Sequence, residues 1–218
     1  MEWGSAQEAT SILAALNYFG RRNAVVEEAG LQPLEALSAI ERAKLPPGLP
    51  PLGASPDAIV RWPDGTVEPL EVKNHAPFAS TPMHAREAGA APLEVRDPGP
   101  YSGIAVWHIP QLYLHMLCLG DACVSALFMS CSATRGINIF RLRRDNAVML
   151  AMLSFIARFN VRYGSGRSPP PPNFMWGVAG YSQLLQSFKR AVRDHVDLVA
   201  HVSDAEVQRD AAGHLFFD

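Results

Sequence analysis

Apolar residues near the start of the chain recur at helical spacing. Ile12, Leu13, Leu16 and Phe19 line one side of a helix predicted over 5–19, and Ser5-x-x-Glu8 has the form of a capping box. A short apolar run at 24–26 reads as a strand, and Leu/Ala alternating with Glu/Arg over 33–45 reads as a surface helix. Two strands are predicted at 58–62 and 67–73, joined by the turn sequence Pro63-Asp64-Gly65. Residues 75–104 carry no period and read as an irregular insertion. Pro110 suits the first turn of a helix over 111–119 that is apolar almost all round and so buried. Strands are predicted at 123–131 and 136–143. Asp145 caps a helix running to about Tyr163, and a proline-rich linker over 168–173 leads to a final amphipathic helix at 181–202. This order predicts an α/β domain of one unit. A mixed sheet is flanked by helices, with a core over about 4–163 and a helical extension over about 174–218.

Composition narrows the class. Among 218 residues, 48% are hydrophobic and 18% charged, too apolar for a disordered chain. The longest apolar window, 147–157, is broken by Ser154 and closed by Arg158, short of the roughly 20 residues a bilayer span needs. No basic segment precedes an apolar one at the start, and three cysteines cannot all pair, so an intracellular, reducing compartment is expected, with no membrane partner. The formal net charge of -2 excludes a uniformly basic coat. It leaves room for a local one, because residues 135–193 hold ten Lys/Arg against the single acid Asp145. A solvated surface is the plainer reading of such a run.

The chemistry concentrates between Gly53 and Asn74. Side chains alternate along a strand, so Glu71 and Lys73 share one face while Leu70 and Val72 share the other. Asp57 precedes the partner strand, and the tight hairpin can bring it beside Glu71. Two carboxylates at one spot repel unless a hard cation lies between them. Mg²⁺, which takes few carboxylates, some water and a substrate phosphate, fits that corner; Mn²⁺ is able to substitute. A neighbouring lysine then suits phosphodiester hydrolysis. Each residue also has a plainer reading. Asp57 can cap a turn after Pro56, Glu8 can serve only the capping box, and Gln111 can cap the helix behind Pro110. Arg141 and Arg143, on one strand face, can contact phosphate or simply face solvent, and His75 follows the motif closely enough to touch a phosphate. Metal-binding Cys/His spacings, phosphate-binding glycine loops and a Gly-x-Ser-x-Gly elbow are all missing from the sequence.

The pattern Ser55-Pro-Asp57…Glu71-Val-Lys73 resembles the PD-(D/E)XK nuclease motif. More narrowly, Gly53-Ala-Ser-Pro-Asp-Ala with Glu71-Val-Lys-Asn-His-Ala-Pro is similar to the lambda-type phage exonucleases, the YqaJ-like viral recombinase family. Glu8 upstream and Gln111 downstream stand in that family's order. The resemblance covers roughly 4–163. It implies a restriction-endonuclease-like fold and Mg²⁺-dependent cleavage of DNA. Asp57, Glu71 and the Val72 carbonyl would be metal ligands, Lys73 the catalytic lysine, Glu8 a support for a second metal, and Gln111 an orienting residue. It further implies double-stranded DNA with a free end as partner, a place in recombination or repair, and a homo-oligomer, a trimer in the phage enzymes. An endonuclease on the same fold, or a DNA-binding module without catalysis, are the alternative readings.

Overall fold

The computed structural model describes residues 2–34, 45–80, 87, 89, 93–166 and 169–212. The helix expected over 33–45 falls mostly outside them. Helix α1 (Glu2–Gly20) leads into β1 (Val25–Glu28), and a short pair, β2 (Gln32–Pro33) with β3 (Gly53–Ala54), precedes the hairpin of β4 (Ala58–Arg61) and β5 (Val67–Asn74). In the hairpin, Gly65 adopts φ 85°, Trp62 N–H donates to the Thr66 carbonyl at 2.9 Å, and Asp64 accepts from Thr66 N–H at 2.8 Å. Pro63-Asp64-Gly65 therefore does what its composition predicts, because only glycine enters that backbone region without strain.

After β5, the stretch expected to be irregular holds a second small sheet, β6 (Phe78–Ser80) antiparallel to β7 (Leu93–Val95). A 3₁₀ turn (Val106–His108) then enters α2 (Ile109–Cys118), with Pro110 in its first turn. Strands β8 (Ser125–Cys131) and β9 (Ile137–Arg143) follow, and then α3 (Asn146–Tyr163), where Asp145 accepts from Ala147 N–H at 3.0 Å and Val148 N–H at 3.1 Å.

The last expected element divides in two. Helix α4 (Tyr181–Asp194) stops, and Val196–Val202 forms β10, with α5 (Asp204–Ala212) beyond it. The physical reason is the free edge of β9. Residues 196–202 read Val-Asp-Leu-Val-Ala-His-Val, and pairing Val196 with Leu142 and Val202 with Ile137 satisfies two strands' backbone groups at once. The segment expected to be a helical extension thus completes the main sheet. Gly136, φ 80°, permits the turn before β9 to pass close by: a Cβ there would lie 2.2 Å from the Val202 carbonyl.

The main sheet runs β1-β4-β5-β8-β9-β10. All neighbours are antiparallel except β5 and β8, which are parallel and joined through α2. The fold is α/β, a mixed sheet flanked by helices. One face packs Ala15, Tyr18 and Phe19 of α1 against Val60, Leu70, Val72, Leu127 and Ile139. The other packs α2, α3 and α4 through Leu112, Met116, Met149, Leu153 and Phe188 onto Phe128, Phe140 and Leu142. Complete burial of a side chain such as Phe19 contributes ~2–3 kcal/mol. The candidate site forms where the start of β4 and the end of β5 lie side by side. Among the described residues no helix is long and apolar enough to cross a membrane. All three cysteines are free and buried, and burial pushes their thiols up to about 11, 12 and 11 for Cys118, Cys123 and Cys131.

Candidate active site

Strand β5 divides its polar residues between the two sheet faces. Leu70 and Val72 enter the core beneath α1, so Glu71 and Lys73 face α2. Asp57 precedes β4, where its N–H donates to the Leu70 carbonyl at 3.0 Å and its Oδ2 accepts from Val72 N–H at 2.6 Å. This backbone bond aims the aspartate at β5. The hairpin thereby brings Asp57 and Glu71 together, as the sequence leads one to expect. Glu71 is 2% exposed, and Lys73 Nζ donates to its Oε1.

The electrostatics of this corner are unfavourable as they stand. Burial first, and then the charge of Glu71, raise the Asp57 carboxyl above its ordinary value; the Val72 N–H bond opposes the shift. Glu71 Oε2 is buried and accepts no hydrogen bond from the described residues. His115 Nδ1 on α2 lies 3.7 Å from it, too far for a hydrogen bond, and has no hydrogen-bond partner of its own among the described residues. Burial lowers His115 to about 4, so the imidazole is neutral at pH 7 and does not neutralise Glu71.

Two converging carboxylates, one with an unpartnered oxygen, have the chemistry to serve as donors to a hard cation. Among the described residues no three His, Cys, Asp or Glu side chains gather closely enough to bind a metal alone. Further donors to such an ion would be a backbone carbonyl, water or substrate phosphate. Glu8 lies exposed on α1, in its second turn and not at a cap, because the helix starts at Glu2. It lines an open groove of ≈ 1130 Å³ together with Asp57, Glu27 and Glu28. Gln111 stands half-buried on α2, one turn before His115, and makes no hydrogen bond within the described residues.

His75 folds back onto β8. Its Nε2 lies 2.7 Å from Ser130 Oγ, its ring packs on Tyr101 with centroids 4.0 Å apart, and burial lowers its pKa. It borders the site as a packed ring and not as a cation. The two strand arginines are not part of the site. Arg141 and Arg143 lie on the sheet face opposite Glu71, because Phe140 and Leu142 between them enter the core beneath α2. Register also places them away from Lys73, which lies beside Ser130 while Arg143 lies beside Ser125. Arg141 grips buried Glu68 through Nε at 2.7 Å and Nη2 at 2.9 Å, and Arg143 donates to the Asp194 carbonyl at 2.6 Å. Arg144 donates to the carbonyls of Gly120 and Cys123, both at 2.9 Å, just beyond the C-terminus of α2. Much of the basic tract therefore builds the fold.

Sequence reasoning missed His115 and Glu68. Only the four-residue spacing of Gln111 and His115, which puts both on one helix face, signals the first. No family model, no curated protein sequence and no solved structure matches this chain.

Proposed function

We propose that the protein is a metal-dependent deoxyribonuclease of restriction-endonuclease-like fold, an exonuclease acting on the ends of double-stranded DNA. The observation that carries the reading is the convergence of Asp57 and Glu71, with Lys73 on one oxygen of Glu71 and the other oxygen buried and unpartnered. A structural ion pair would satisfy both carboxylate oxygens; a catalytic site leaves one for its ligand. The motif resemblance to the lambda-type phage exonucleases supplies the substrate class and the preference for ends.

The residues present fit Mg²⁺. Asp57 and Glu71 would hold it, the Val72 carbonyl would add a ligand, and Glu8 across the groove would support a second ion. Bound there, the ion supplies charge neutralisation at a phosphate and a lowered pKa for water. The chain's own residues do the rest. The Val72 N–H fixes Asp57. Lys73 donates from Nζ to the charge that builds on the phosphate oxygens as the P–O bond breaks. His115, neutral beside Glu71 Oε2, brings no positive charge to compete with a cation there. Gln111, one turn away, orients water or Lys73.

The test is Glu71→Ala on linear duplex DNA with Mg²⁺. Loss of cleavage with thermal stability within ~1 kcal/mol of wild type is expected, because Lys73, 34% exposed, turns to water when its partner goes. Retained turnover contradicts the assignment.

A further inference from the structure

Beside the carboxylates the surface turns aromatic. Tyr101 packs on His75 (centroids 4.0 Å) and approaches His108 at 6.4 Å, and His108 in turn lies 5.1 Å from buried Phe128. The outermost ring is Trp107, 5.8 Å from His108 and 71% exposed. Trp176 is as exposed, at 78%, so exposure alone assigns nothing; what sets Trp107 apart is its place at the end of this ring row beside Lys73. Trp107 is also not loose, because its Nε1–H donates to His108 Nε2 at 3.1 Å, and the 3₁₀ turn that carries it leads straight into α2. The ring is therefore held, its polar edge satisfied and its face left to solvent.

The location matters as much as the exposure. His108 is close enough to Lys73 and His75 for their charges, after burial, to help lower it to about 4. The rings of the row are thus neutral at pH 7, unsuited to pairing with phosphate and suited to stacking. Helix α4, with Lys189, Arg190 and Arg193 exposed along it, packs on the same turn. A strand whose phosphate sits at Asp57, Glu71 and Lys73 carries bases within a nucleotide or two of that phosphate, and the rigid planar surface beside Lys73 is this row.

We infer that Trp107, held by His108, is a stacking platform for an unpaired nucleobase of the DNA strand engaged at the carboxylate site. The inference rests on the nuclease reading for its ligand. It adds to that reading a sequence-independent contact, because every base offers a π face. A platform of this kind favours a strand that has been separated from its complement near the end, since a base in an intact duplex has its faces covered.

The test uses the full chain with Ca²⁺ and short oligonucleotides carrying 2-aminopurine at the terminal nucleotide, single-stranded and duplex. Wild type and Trp107→Phe should quench 2-aminopurine on binding. Trp107→Ala should lose the quenching and bind about tenfold more weakly. The slope of log affinity against log salt should not change, because stacking releases no counterion. Equal quenching and affinity in Trp107→Ala overturns the proposal, and so does a loss that comes with a changed salt slope. Cleavage of linear duplex with Mg²⁺ separates the two claims. Wild type that quenches but never cleaves removes the hydrolytic reading and keeps the platform. Cleavage with a Trp107→Ala protein indistinguishable in binding removes the platform and keeps the hydrolytic reading.

Discussion

Glu71 and His115 face each other at 3.7 Å, both buried and both with an atom unpartnered. Their arrangement makes the fold sensitive to acid in a defined direction. His115 is lowered from 6.5 to about 4 by burial. Between those values the unfolded chain takes up the proton and the folded chain does not, so this residue's contribution is complete above 6.5 and is lost as pH falls toward about 4. Asp57 acts oppositely: its raised carboxyl costs stability when ionised, and acid relieves it. Replacing His115 by Gln isolates the first effect. The thermal midpoint of wild type should fall more steeply than that of His115→Gln across this window, with a constant offset between the two above it. Parallel curves would show that His115 is not buried neutral. His108, shifted the same way, stays in both proteins and cancels in the comparison.

Strand β5 has one end that ties the sheet together and another that carries the proposed site. At the first, Glu68, 1% exposed, accepts from Trp62 Nε1 at 2.6 Å, Ser125 Oγ at 2.5 Å and the Arg141 guanidinium, tying β5 to β8 and β9. Every oxygen there is satisfied. At the second, Glu71 keeps an oxygen without a partner. Removing Arg141 should therefore cost stability and spare chemistry. Arg141→Ala is expected to lose ~3 kcal/mol in denaturant unfolding, from leaving a buried carboxylate short of its partner. Its cleavage rate per folded molecule should match wild type, and a specific loss of cleavage would return Arg141 to the site. This contrast was hidden in the sequence. Glu68 and Glu71 are three residues apart, both in a strand, and only the sheet's two faces reveal that one is satisfied and the other is not. Parity along β5 was legible, and so was the approach of Asp57, because a two-strand hairpin is local. The fate of Arg141 depends on Glu68, 73 positions away in the chain, and no local pattern carries that. For the same reason β10 reads as helix in isolation: the edge of β9 decides its conformation.

Across the whole molecule, α1 and α5 cover one side of a six-stranded mixed sheet, and α2, α3 and α4 the other. The carboxylates sit where β5 emerges beside α2, between the groove lined by Glu8 and the aromatic row ending at Trp107. The order of elements and the mixed sheet were readable from periodicity and turn chemistry. The pair β6 and β7 was not, since three-residue strands leave no period. The central claim is that this corner hydrolyses DNA with a divalent metal and Lys73. It is tested most directly by a time course on 5′-labelled linear duplex beside closed circular DNA, with Mg²⁺ or with EDTA, for wild type and Lys73→Ala. The expected result is loss of the linear form alone, only with Mg²⁺ and only by wild type. Cutting of the circle would make the enzyme an endonuclease. Cleavage that persists in EDTA or in Lys73→Ala would contradict the site itself.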